Sequence, residues 1–220
     1  METNKCKKQL ITIFPVCFEF YELYRIFLPL FREHREYFYD WCDIGSIYGA
    51  PPDCIWGGGR ISLEDHDAGE VLTLLQEYGI SARLTFSNSL LCEEHLSDRK
   101  CNELCVLFAE NATPENGAIV HSELLLQYLK SHYPQLYLIS STTKVLTDFE
   151  ALKKEADRED FRYVVRISPE QAYEKLNTLT EIYRKTKWNF CAMSAAFWLQ
   201  GQEGMLRSRQ PQESGRGAGF

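Results

Sequence analysis

Apolar and aromatic residues recur at helical spacing through residues 18–38, FEFYELYRIFLPLFREHREYF, and Pro29 interrupts the run. This predicts an amphipathic helix, kinked or split at the proline, whose missing N–H and ring break the helical ladder. Beyond it the pattern shifts between two periods. Short apolar or alternating runs, WCDIGSIYG, ISARLTFSN, NGAIVHS, QLYLISSTT and FRYVVRIS, predict strands. Between them lie stretches of helical period. LEDHDAGEVLTLLQEYG (Leu63 to Gly79) has acids in its first turn and a glycine stop. SDRKCNELCVLFAE follows with Ser97 as its expected cap, and SELLLQYLKSHYP closes at Pro134. TDFEALKKEADRED is read with its charges on the outer face, and PEQAYEKLNTL opens on Pro169.

The predicted order is a helix, then strand and helix in alternation about five times. Such alternation implies right-handed crossovers and a parallel sheet. Runs such as AIVHS and YVVRIS are nearly all apolar, as suits strands covered on both faces. A (β/α) barrel and a doubly wound open sheet both fit this spacing. No GxGxxG opens a helix, which disfavours a dinucleotide-binding sheet. Five strands read clearly, and TEIYRKTKWNFC contains the beginning of a sixth. A barrel needs eight to close, so the expectation is an incomplete one of about five to six strands.

Composition narrows the function classes. The chain has 220 residues, 45% hydrophobic and 25% charged, as in a soluble globular domain with enough apolar surface to fold without staples. Its net charge is −7 and its most basic run, RKTK at 184–187, is short, so no broad nucleic-acid surface is expected. No segment approaches the roughly 18 apolar residues that span a bilayer, and no membrane partner is expected. The apolar run near the N-terminus, LITIFPVCF, is broken by Pro15 and has no small-residue cleavage site after it. It is not read as a signal peptide, and a cytoplasmic location is expected. The eight cysteines are scattered. Cys101 and Cys105 stand four apart on a predicted helix, a spacing that suits two metal ligands but more simply two small buried positions.

From Gln200 the chain is nearly free of apolar residues and turns rich in Gly, Arg, Gln and Ser. One reading is a disordered tail. Another is a change of frame. With suitable codons, the segment KWNFCAMSAA read one base earlier becomes KVEFLCNECC. The segment WLQGQEGMLRSRQPQESGRGAG, with its first base dropped, becomes GCKDRKACYEAVSRKNLGEEQ. Both alternatives look like folded protein and carry clustered cysteines, so we read residues 1–186 as a partial β/α barrel and 187–220 as an aberrant tail.

Three stretches carry a family resemblance: FLPLFREHREYFYDWCDIGSIYGAPPDCIWGGGR, ARLTFSNSLL and LISSTTKVLTDFEALKKEADREDF. They resemble a group of uncharacterised proteins of anaerobic gut bacteria and, more distantly, the peptidase U32 (collagenase-like) family. The resemblance spans roughly residues 18–186. It implies a TIM-type barrel. It also implies that a full-length relative holds an iron–sulfur cluster on C-terminal cysteines and modifies RNA or small aromatic precursors. Here only Cys191 stands as a cysteine in that region, so no cofactor is expected in this chain.

In such folds the reactive groups sit on loops after the strand ends. After the first predicted strand come Trp56, Gly58 and Arg60, where glycine amides and a guanidinium suit a phosphate or carboxylate and equally suit a tight turn. Asn88 follows the second. His121, titrating near neutrality, follows the third. Ser140, Ser141, Thr142 and Lys144 follow the fourth and suit an anionic or polyol ligand, or helix capping. No Ser/His/Asp signature, HExxH or P-loop appears. Two functions are expected on this basis: a truncated relative of a cluster-dependent enzyme, or a non-catalytic module for a small anionic ligand or protein partner. Whether the chain is an enzyme stays open.

Overall fold

The computed structural model describes residues 10–15, 17–40, 42–59, 66–146, 148–166 and 188–190. Its strands are β1 (Leu10–Phe14), β2 (Cys42–Gly49), β3 (Ser81–Phe86), β4 (Gly117–Val120), β5 (Tyr137–Ser140), β6 (Tyr163–Arg166) and β7 (Trp188–Phe190). The helices are α1 (Tyr21–Glu33), α2 (Ala68–Glu77), α3 (Arg99–Glu110), α4 (Glu123–His132) and α5 (Phe149–Asp157). All seven strands are parallel and lie side by side in chain order. A doubly wound sheet reverses its strand order at a switch point. The unbroken sequence excludes that alternative, and the sheet curls into a half-barrel.

The first element among the described residues is therefore a strand, not the helix that periodicity placed first. LITIF is too short to declare its period, and pairing with β2 decides it. The described residues hold seven strands, against the expected five to six: β1 is the addition, and β7 falls within TEIYRKTKWNFC, where a sixth strand was expected, and pairs with β6. Pro29 lies inside α1, which runs on to Glu33 before a separate short turn at Arg35–Tyr37. Two helix starts also move. The Asp67 carboxylate accepts the Gly69 and Glu70 amides, so α2 starts at Ala68 and not near Leu63. Asp98, not Ser97, accepts the Cys101 amide and caps α3. Ser122 and Asp148 cap α4 and α5 in the same way. The helix expected to open on Pro169 lies outside the described residues.

Period-two alternation gives the sheet two unlike faces. Ala82, Leu84 and Phe86 of β3, Ala118 and Val120 of β4 and Leu138 of β5 belong to the main core, which also takes Leu72 and Leu75 of α2, Phe108 of α3 and Leu125 and Leu129 of α4. The intervening residues form the concave face. There Ile119, Tyr137 and Ile139 make a separate small cluster, with Tyr48 and Tyr163 against it. A bulge in β2 sets this alternation: Thr12 pairs with Ile44 and Ile13 with Ser46, so Gly45 has no opposite. Without that extra residue, Ile44 and Ile47 could not both face the core.

Candidate functional site

The loops after the strands hold most of the residues selected from sequence, and the fold uses many of them itself. Trp56 is fully buried. Its indole N–H donates to the His95 carbonyl at 2.7 Å, and its ring meets Phe86 and Tyr128 edge-on. Gly58 and Gly59 adopt φ of 92° and 66°, conformations that glycine takes without steric cost. Their amides, and that of Gly57, donate to the Cys54 and Ile55 carbonyls of the same turn. They do not converge on an outside anion. Asn88 donates its amide N–H to the Ile55 carbonyl and accepts from Leu90, which ties the β3 loop to the β2 loop. Arg60 and Cys191 lie outside the described residues.

Ser140 and Lys144 turn away from the concave side. Ser140 Oγ donates to Glu155 Oε1 at 2.6 Å, and Lys144 makes an ion pair with the same oxygen. Both partners of that pair are largely buried, with side-chain exposures of 15% and 12%. Burial alone would raise the Glu155 carboxyl. The hydrogen bonds from Lys144 and Ser140, with the charges of Lys144 and Arg158, outweigh it and hold the group below the usual glutamate range. Glu155 thus points inward from α5, contrary to the reading that put all charges of that helix outside. The Lys144 charge is spent on this pair.

What remains at the rim is a connected polar chain. His121 Nδ1 lies 2.7 Å from Thr143 Oγ1, and Thr143 Oγ1 lies 2.8 Å from Ser141 Oγ. The Thr143 amide also donates to Ser141 Oγ. These groups sit after the adjacent strands β4 and β5, joined by the Ser141 amide donating to the Val120 carbonyl. Partial burial, and then the nearby Lys144 charge, hold the His121 imidazole below its usual range. Thr142 begins the short turn Thr142–Lys144 and its carbonyl accepts from Val145. Val145 itself stands at φ 50°, a left-handed conformation that costs a β-branched residue about 1–2 kcal/mol.

Deeper on the concave face lies a group the loop-based reading did not select. Arg83 of β3 is 6% exposed. Its Nε–H donates to Tyr137 Oη at 2.8 Å, Tyr137 Oη to Ser81 Oγ at 2.6 Å, and Ser81 Oγ to the Glu115 carbonyl at 2.7 Å. The guanidinium also lies 5.4 and 5.1 Å from the Tyr137 and Tyr163 ring centres. Gly117 makes this possible: a Cβ there would stand 2.5 Å from the Tyr137 ring. No carboxylate pairs with Arg83 among the described residues. Two cation–π contacts return about 2 kcal/mol each. Removing a unit charge from water costs several kcal/mol even after relaxation. Two more polar atoms on this face, Ser46 Oγ and Thr85 Oγ1, are buried without a hydrogen-bond partner among the described residues. The sequence signal was present: Ser81, Arg83 and Thr85 alternate within SARLTF, three polar residues on one face of a fully buried strand.

The cysteines do not assemble a metal site among the described residues. Cys101 and Cys105 are buried on α3, and Cys54 Sγ lies 3.4 Å from Cys101 Sγ. Cys92 is exposed and its sulfur sits 3.2 Å from His95 Nδ1. A hydrogen bond to Glu94 pushes its thiol up, which works against a thiolate nucleophile there. No helix of the described residues is long and apolar enough to cross a membrane. Comparison with protein-family models, with curated proteins and with solved structures returns no match.

Proposed function

We propose that the chain is a binding module for a small polar ligand, hydroxyl-bearing or anionic, held at the strand-end rim of a barrel-like sheet. One observation carries this reading. The chain His121–Thr143–Ser141 joins two neighbouring strand ends and finishes on an imidazole whose Nε2 has no hydrogen-bond partner among the described residues. An imidazole and paired hydroxyls can donate and accept, as sugar-like or hydroxy-acid groups require. The strained Val145 beside them supports it further, because such conformations gather where a loop is shaped for a ligand. The sequential parallel order supports a TIM-type barrel as the closed form of this half-barrel. The cluster-dependent chemistry implied by the U32 resemblance would draw on cysteines outside the described residues, and no geometry here favours it.

A thermal-shift panel of polyols, sugar phosphates and hydroxy acids tests the reading, run on the wild type, Thr143→Val and His121→Gln. A compound that raises the wild-type Tm and acts at least tenfold more weakly on both variants supports the rim. A panel without effect, or hits indifferent to both substitutions, contradicts it.

A further inference from the structure

We infer that the concave face of the sheet is an anion-binding site, with Arg83 as its anchor and a carboxylate or phosphate group of a small molecule as its ligand. The inference starts from charge. Arg83 carries its charge on a planar fork of donors that has no acceptor of its own. Arginine is almost never this deeply buried unless paired. Its neighbour in charge, Arg162, lies 4.4 Å from the Tyr137 ring centre and is matched by Glu115. Arg83 has no such match among the described residues; the tyrosine that receives its Nε–H is a neutral phenol.

Geometry then points to where the anion goes. Register places Tyr48, Arg83, Gly117 and Tyr137 in one row across β2 to β5. Thr85, Ile119, Ile139 and Tyr163 form the next row toward the rim. Gly117 leaves a gap in the first row, and Arg83 reaches across it to the two tyrosine rings. The Nε–H is committed to Tyr137, and no hydrogen bond from the two terminal amino groups is made to a described residue. Those two groups form the edge that takes a carboxylate or phosphate in paired hydrogen bonds. Thr85 stands one pleat step from Arg83 toward the rim, with a buried hydroxyl still to be satisfied; Ser46 lies one step the other way, on β2. The uncommitted edge of the Arg83 fork, with the Thr85 hydroxyl one step toward the rim, presents donors suited to an anion.

The test is urea denaturation of the full chain with inorganic phosphate or acetate as probe, against chloride at matched ionic strength and pH. Phosphate and acetate separate the two sources of anion. The wild-type midpoint should rise with one or both and saturate in the millimolar range, below the concentrations at which excluded salts act. At a hundredfold excess over Kd the unfolding constant should fall about a hundredfold. Arg83→Met should abolish the dependence. Arg83→Lys, which keeps the charge and loses the fork, should weaken binding at least tenfold, and it serves as the readout if the methionine variant does not fold. Thr143→Val should leave the dependence intact, which separates this site from the rim. A wild type blind to both anions beyond chloride would mean that a carboxylate elsewhere in the chain already pairs with Arg83, and the inference falls. So it does if Arg83→Met or Arg83→Lys retains the wild-type dependence.

Discussion

Arg83 and Leu84 are adjacent in β3, equally hidden from water, and face opposite ways. Leu84 points into the main core beside Ala82 and Phe86. That side of the sheet is apolar and covered by helices, so each side chain there repays the cost of ordering it through burial. Arg83 points to the concave side, where Ser46, Ser81 and Thr85 are also buried. That side spends stability, because it holds a charge and hydroxyls that water would have satisfied. One strand thus divides its residues by parity: alternate side chains join the apolar core, and those between them are the buried polar ones.

The sharpest exception to this division is Glu155, a charge on the helix side. Glu155→Gln should cost about 3 kcal/mol, because it leaves Lys144 largely buried and unpaired. Chemical denaturation checks the size. The pH dependence has a fixed sign. The folded-state carboxyl is held below its unfolded value, so its contribution is full above about pH 4.5 and is lost as pH falls through the depressed value. The Gln variant should lose that part of the acid sensitivity. A smaller effect is expected at Gly117, on the concave side. Gly117→Ala should cost about 1–3 kcal/mol, since the new methyl meets the Tyr137 ring and displaces the partner of Arg83 and Ser81. A neutral outcome would mean that the Tyr137 chain does not organise this face. The smallest effect belongs to His121. Its folded-state pKa is lowered, so stability should decline slightly as pH falls through about 6.5, and NMR titration of the imidazole should show the depressed value.

The helix side of the sheet was legible in the chain because continuous apolar runs declare strands covered on both faces. GAIV and YLIS are buried throughout, as that pattern implies. Strand β1 was not legible, because five residues before a proline, four of them apolar, carry no clear period. The rim was legible as a place and less so in its parts. His121 and Ser141 do meet at the strand ends, with Thr143 between them. Trp56, Asn88, Ser140 and Lys144 are bound into the scaffold, and only tertiary contacts decide such matters. Glu155 was hidden by its company, since one inward carboxylate in ALKKEADRED looks like the others. Arg83 was hidden by expectation: attention fell on loops, and a single basic residue inside SARLTF passed as ordinary strand.

The comparison of neighbours also supplies the most direct measurement. Leu84→Ala and Arg83→Met, unfolded by urea side by side in chloride buffer without other anions, put the two faces on one scale. The account predicts a loss of about 2–5 kcal/mol for Leu84→Ala, from lost burial and the cavity left behind. For Arg83→Met it predicts no loss, or a gain, because an unpaired buried charge gives way to an apolar side chain of similar length. A loss at Arg83→Met as large as that at Leu84→Ala would contradict it, and would make the concave face part of the scaffold.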